Sequence, residues 1–538
     1  MSPWTSPLVH GRRLLRPLLI LLPGLLAWVA PCGAVEDGVL RVRVVGDEIR
    51  VEGQRSDAPV HLLELPPWQP ALTVESTGVV ARVQDGPGFR LAFPRFAGER
   101  DRLYSSFVLA AEGPGGTFQA VGTNRYVEGA ASVSRHREPF PMARSIKGLQ
   151  VEIVEDALAL GIQHGSFNVN LTGLVDLKGA SNSFPWPVDG RPVHFRRGAV
   201  EALDRQVKRL SDAGVTVYLI LLTYASGDPA LNRVMLHPAY DPAAPNRLGA
   251  FNTSTPEGVR HFRACLEFLA DRYHRPGAPH GRAAGYILGN EVNSHWFWSN
   301  RGRVGMREFT EDHLRAARLA HTALRTVSSS ARLYLSLEHH WNIRYPGGNN
   351  LQAFPGRAFL DHFARRAREQ GDFDWHVAFH PYPENLFEPR SWRDKSATTN
   401  VLTTPRITFK NIELLPRYLR QPEFLFEGQP RRVILSEQGF HTPDGPEGEL
   451  RQAAGYAYAW QKISAAKGID SFILHRHVDH PDEGGLHLGL WRRAGGNGAP
   501  SEKKRIYEVF RQADTPGWEK AFEFALPVIG IPAWDALP

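Results

Sequence analysis

Glu291 follows the run Gly285-Tyr286-Ile287-Leu288-Gly289-Asn290, and Glu437 follows Arg432-Val433-Ile434-Leu435-Ser436. A carboxylate directly after a buried apolar run is costly unless it is partnered or used. Two such groups brought to one cleft suit hydrolysis of a glycosidic bond. One protonates the leaving oxygen, and the other attacks the anomeric carbon or activates water. Other apolar runs also end in polar groups: Phe167-Asn168-Val169-Asn170, Glu338-His339-His340-Trp341, His380-Pro381-Tyr382 and His475-Arg476-His477.

The elements that must position these groups can be read from about residue 146 onward. Strand-like runs start near Gly148, Ile162, Val215, Gly285, Leu333, Trp375, Arg432 and Ser471. Amphipathic or capped helical stretches lie between most of them. Val200, Leu203, Val207 and Leu210 fall at helical spacing, and Thr255-Pro256 reads as a helix cap with Pro in the first turn. Val215 to Leu222 is a near-continuous apolar run, as expected of a strand buried on both faces. Eight strand–helix units over about 370 residues predict an α/β fold, a (β/α)8 TIM barrel with reacting groups at the C-terminal strand ends. An open doubly wound sheet would carry an early Gly-rich phosphate turn, and there is none.

On this ordered set the chain resembles clan A of the retaining glycoside hydrolases. In that clan an Asn-Glu pair ends strand four and a Glu ends strand seven. Here these are Asn290-Glu291 and, some 146 residues later, Glu437. His380-Pro381-Tyr382 is similar to the His-x-Tyr that several clan families carry after strand six. The resemblance covers roughly residues 146 to 515. It implies Glu291 as acid/base and Glu437 as nucleophile. Burial and the Glu437 charge should raise the Glu291 pKa. Tyr382 is expected to donate to Glu437, Asn290 to hold the sugar 2-hydroxyl, and His380 to contact the nucleophile or the sugar. Glu338 also ends a strand and competes for the nucleophile's place; the imidazoles beside it suit a sugar-binding or structural carboxylate.

Asn168, His340 and His475 are further expected sugar contacts at strand ends. Trp296 and Trp298, just after the acid/base, are expected to stack on sugar faces, and Trp491 to floor the central subsite. Neither a metal nor a cofactor is required by a carboxylate pair. A metal-dependent hydrolase is the alternative, because His339, His340, His475, His477, Asp479, His480 and His487 include zinc and manganese ligands. No His-x-His ends the first strand, however. A non-catalytic carbohydrate-binding barrel would use the aromatics without needing both glutamates.

The remainder of the sequence gives the setting. With 538 residues, 42% hydrophobic and 22% charged, the chain is neither disordered, collagen-like nor coiled coil. Its two Cys, Cys32 and Cys265, exclude a disulfide framework. Arg12, Arg13 and Arg16 precede an apolar run from Leu18 to Ala30 and a Cys32-Gly33-Ala34 site, the pattern of an export signal over residues 1–34. Removing these three Arg takes the net charge from +7 to +4. Nucleic acid is not an expected partner, since no basic block rich in aromatics occurs. Nor is a membrane expected once the signal is cleaved, and the location expected is secreted or periplasmic. Residues 35–145 carry short alternating runs between Gly/Pro turns and predict a β-rich, sandwich-like N-terminal domain. The barrel is expected over 146–515, with a tail over 516–538 packed on it. The expected substrate is a poly- or oligosaccharide, and the sequence leaves the oligomeric state open.

Overall fold

The computed structural model describes residues 37–54, 60–73, 78–83, 88–399, 401–495 and 498–537. The export-signal segment, with Cys32, lies outside the described residues. Among the described residues no helix is long and apolar enough to cross a membrane.

Eight parallel strands form the centre. They are β1 (Lys147–Gln150), β2 (His164–Asn170), β3 (Thr216–Tyr224), β4 (Gly285–Leu288), β5 (Arg332–Glu338), β6 (Trp375–His380), β7 (Val433–Leu435) and β8 (Ile469–Leu474). Each pairs in parallel with the next, and β8 pairs back onto β1, so the sheet closes. Between and after them run α1 (Val154–Ala159), α2 (Arg197–Asp212), α3 (Pro256–Tyr273), α4 (Met306–Val327), α5 (Gly356–Glu369), α6 (Leu414–Tyr418), α7 (Gly448–Ala465) and α8 (Arg505–Gln512). The expected (β/α)8 barrel is the observed one. The first strand ends at Gln150, and the chain turns into α1 at Val154 with Glu155 and Asp156 in its first turn.

Alternation explains which side chains face inward. Tyr218, Ile220, Leu222, Ile287, Tyr334, Ala378, Ile434 and Ile473 fill the barrel interior. Val217, Leu219 and Leu221 face the other way and share a core with Val207, Leu210, Val259 and Leu266 of the helices. Full burial of such a side chain stabilises by about 1.5–3 kcal/mol. The Thr255 cap forms as expected, its Oγ1 accepting from Gly258 N at 3.0 Å.

Most of the N-terminal strands form two antiparallel sheets. Gly38–Val45, Glu48–Gln54 and Gly88–Pro94 make one. Val79–Val83, Val60–Leu65, Ser106–Glu112 and Phe118–Tyr126 make the other. Val42, Val44, Ile49, Val51, Leu62, Phe107 and Leu109 belong to their buried core. Their polar links run to the barrel's helical shell: Tyr104 Oη donates to Glu267 of α3 at 2.7 Å, and Arg318 of α4 lies over the Tyr126 ring at 4.6 Å. After α8, Phe522 and Ala525 are buried, and Trp534 packs edge-on to Phe522.

Candidate active site

Four strand ends bring the site together. After β4 the backbone turns sharply: Gly289 has φ +75°, and Glu291 has φ +39° and ψ +52°. A left-handed non-Gly residue costs roughly 1–3 kcal/mol and persists only where its surroundings fix it. Here they do. Glu291 N donates to Ser336 Oγ of β5 at 2.9 Å, and Ser294 N donates to Glu291 O at 2.8 Å.

The turn after Glu291 is in turn anchored by Glu338, at the end of β5. Glu338 Oε1 accepts from Asn293 Nδ2 at 2.7 Å and from Ser294 Oγ at 2.9 Å. Its Oε2 accepts from His340 N at 2.7 Å and lies 2.5 Å from His340 Nδ1. Burial opposes the charge, but His340 and these donors hold the carboxyl down at about 2. Both oxygens of Glu338 are therefore engaged within the protein.

His380 ends β6 inside the mouth. Its Nδ1 lies 3.0 Å from Glu291 Oε1, and its Nε2 lies 3.0 Å from Ser436 Oγ and 3.4 Å from Ser336 Oγ. Burial disfavours its charged form, yet the Glu437 and Glu291 carboxylates outweigh burial and raise its pKa. Glu437, after β7, accepts from Tyr382 Oη at 3.3 Å. The facing atoms of Glu291, His380 and Glu437 all lie within 4.8 Å of one another. Burial raises the Glu291 pKa; His380 opposes this, and the charges of Glu437 and Glu338 add to the rise. The arrangement can therefore keep one carboxyl protonated beside a second carboxylate in a buried cleft.

The other expected site residues divide into groups. Asn290 is half-buried beside Glu291, and its side chain has no hydrogen bond among the described residues. Asn168 faces the mouth and accepts from Gln150 Nε2 at 3.2 Å; Gln150 in turn meets His475 Nδ1. His475 Nε2 lies 3.3 Å from Glu483. Trp298 is half-buried and packs on the barrel interior. His340 is drawn to Glu338, as described. Trp296 is buried, with the Arg303 guanidinium 4.4 Å over its ring. Trp491 is not brought to the glutamate pair. Its Nε1 donates to Asp156 of α1 at 2.8 Å, and its ring packs on Tyr507 of α8.

Ser336, Ser436 and Tyr224 belong to the site but were not singled out in the sequence. The available signal was parity: Ser336 lies two residues before Glu338, so a lone hydroxyl inside an apolar strand shares its inward face.

A family model described as a family of unknown function (DUF5722) matches residues 139–537. No curated protein matches the sequence. Among solved structures, the chain is similar to a family 39 glycoside hydrolase from the gut symbiont Bacteroides cellulosilyticus WH2, at 13% identity and TM-score 0.43 over 88% of this chain and 81% of that one. It is also similar to a hyperthermophilic β-glucosidase from Pyrococcus furiosus, at 14% identity and TM-score 0.42 over 70% and 86% of the two chains. An exo-β-1,4-mannosidase from Opitutaceae bacterium strain TAV5 is similar at 16% identity and TM-score 0.40, over 69% and 55%.

Proposed function

The chain belongs to DUF5722, a family of unknown function, and we propose that it hydrolyses O-glycosidic bonds of a poly- or oligosaccharide with retention of configuration. The observation that carries this reading is the approach of Glu291 and Glu437, whose facing oxygens lie within 4.8 Å. Retaining pairs stand about 5–5.5 Å apart, whereas inverting pairs need about 6.5–9.5 Å to admit a water.

In the first step Glu437 attacks the anomeric carbon as the bond to the leaving oxygen breaks. Glu291 gives that oxygen its proton. Esterified Glu437 is neutral, so the charge that helped raise the Glu291 pKa is gone. Glu291, now a carboxylate, takes a proton from water. The water oxygen attacks the anomeric carbon and Glu437 leaves as a carboxylate, regenerating the starting state. Tyr382 steadies Glu437 through its hydrogen bond, and Asn290 is placed to bind the 2-hydroxyl. Incubation with a broad polysaccharide panel, with the first-formed anomer read by NMR, tests the reading. An inverted first product refutes retention.

One observation favours a second reading. Glu291, His380 and Glu437 offer three ligand atoms close enough for one divalent cation, as a metal-dependent hydrolase would require. Turnover that survives exhaustive chelation refutes it; turnover that is lost and restored by one metal refutes the carboxylate-only scheme. We also propose export through residues 1–34. Material recovered outside the cytoplasm should begin near Val35, and an intact N-terminus in the membrane fraction speaks for a retained anchor.

A further inference from the structure

A cavity of about 480 Å³ opens between the loops that leave β2 and β3, a volume in the range of small-molecule sites. Tyr224, the last residue of β3, connects it to the glutamate pair. It lines the cavity and packs on the barrel interior. Burial, and then the charge of Glu437, raise the pKa of its hydroxyl.

Two exposed guanidiniums line the same cavity: Arg196, just before α2, and Arg247, in the loop after the short helix Pro229–Met235. Each is fixed by a backbone carbonyl rather than a carboxylate. Arg196 Nη1 donates to Gly173 O at 2.9 Å, and Arg247 Nη2 donates to Ala225 O at 2.8 Å. Neither forms an ion pair among the described residues. The one carboxylate on the lining, Asp228, caps the short helix, its Oδ1 accepting from Ala230 N at 2.9 Å and Leu231 N at 3.4 Å.

A guanidinium carries five N–H donors, so most of those on Arg196 and Arg247 remain available. Their planar forks match carboxylate and sulfate oxygens, and fixing one donor lowers the entropy lost when the others engage. A neutral sugar would leave both forks to water. The net charge, +4 once the three Arg of the export signal are removed, adds a weak long-range attraction of the same sign.

We infer that this cavity is a subsite for the anionic substituent of an acidic sugar, a carboxylate or a sulfate ester, on the saccharide whose bond lies at Glu291 and Glu437. The inference rests on the glycosidase reading for its placement, but its binding chemistry can be tested alone. The probes are immobilised oligogalacturonate and oligomannuronate with their methyl esters, and sulfated galactan oligosaccharides with their desulfated forms. The intact protein and the Arg196→Gln/Arg247→Gln double variant are applied at several salt concentrations, after their unfolding midpoints are shown to agree.

The protein should bind at least one anionic probe and not its neutral counterpart. Binding should fade with salt, and the double variant should lose about tenfold or more in affinity. Binding in the uronate arm identifies a carboxylate, and binding in the galactan arm a sulfate. Binding to neutral probes only, binding to none, or a double variant within about twofold of the parent overturns the inference. Turnover is followed separately on the same panel. Anionic binding without product removes the glycosidase reading and keeps the subsite, whereas turnover of neutral probes alone does the reverse.

Discussion

His380 Nδ1 lies 3.0 Å from Glu291 Oε1 at the centre of the mouth. The imidazole lowers the Glu291 pKa against a larger upward push from burial. Replacing it by a neutral group should therefore let the Glu291 pKa climb. In His380→Asn, the alkaline limb of kcat/KM, where the acid loses its proton, should move to higher pH. The general acid would then be stronger in retention of its proton but weaker in donating it, so the plateau rate should also fall. A limb that moves to lower pH shows that His380 does not govern this proton.

Glu437→Ala should abolish turnover, and azide should restore it with an inverted glycosyl azide as product. Glu291→Ala should slow substrates with poor leaving groups by about 10²–10⁴-fold and activated aryl glycosides far less, because a good leaving group needs no proton. If Glu437→Ala stays active while Glu338→Ala is dead and rescued by azide, the nucleophile assignment fails.

The barrel was legible because strands buried on both faces must be nearly all apolar, as Val215–Leu222 is, and because each such run ends in groups that do not belong in a core. The rule that a barrel's reacting groups sit at the C-terminal ends of its strands then carried Glu291, His380 and Glu437 to one place. Loop aromatics were less legible. Trp296 and Trp298 are two residues apart and alike in sequence, yet Arg303 covers one while the other packs on the barrel interior. Trp491 was drawn toward α1 by an Asp156 some 335 positions away in the chain. The fate of a ring depends on such distant partners, which local pattern does not encode. The left-handed Glu291 was equally hidden, since nothing in Asn290-Glu291-Val292 announces the hydroxyl of Ser336 that fixes it.

His313 of α4 should set part of the acid sensitivity of the fold. It is buried among the rings of Phe309, Phe359 and Phe363, and its Nε2 has no hydrogen-bond partner. Burial holds its pKa down at about 4, against an ordinary value of 6.5. The unfolded chain thus binds a proton that the folded chain refuses, and stability falls as pH drops from about 6.5 toward 4. His313→Leu should change stability little at pH 8 and raise it by about 1–2 kcal/mol relative to the parent at pH 5. Denaturant melts at the two pH values check this. An equal effect at both excludes His313 as the source.

Glu338 gives the opposite sign at the active site and a second acid signature in the fold. Its carboxylate raises the Glu291 pKa, so Glu338→Gln should move the alkaline limb of kcat/KM to lower pH, against the direction expected for His380→Asn. The amide can still accept from Asn293 and Ser294, and the turn that holds Glu291 should survive. Glu338→Ala removes the carboxylate that accepts from Asn293 Nδ2, Ser294 Oγ and His340. Leaving a buried donor without its acceptor typically costs about 1–3 kcal/mol, and several are left here, so this variant should be less stable by at least that amount. It should also lose kcat more than KM, because the acid is displaced while the sugar contacts remain. Azide should rescue neither variant, since Glu338 touches no reacting atom. The folded carboxyl sits at about 2 and the ordinary value is 4.5. Its contribution to stability is therefore present above about pH 4.5 and is lost as pH falls toward 2. Glu338→Gln should flatten the stability profile in that window and leave the His313 window above it untouched. A limb displaced upward in Glu338→Gln, or an unchanged acid profile below pH 4.5, would show that Glu338 does not support Glu291 as an ionised anchor.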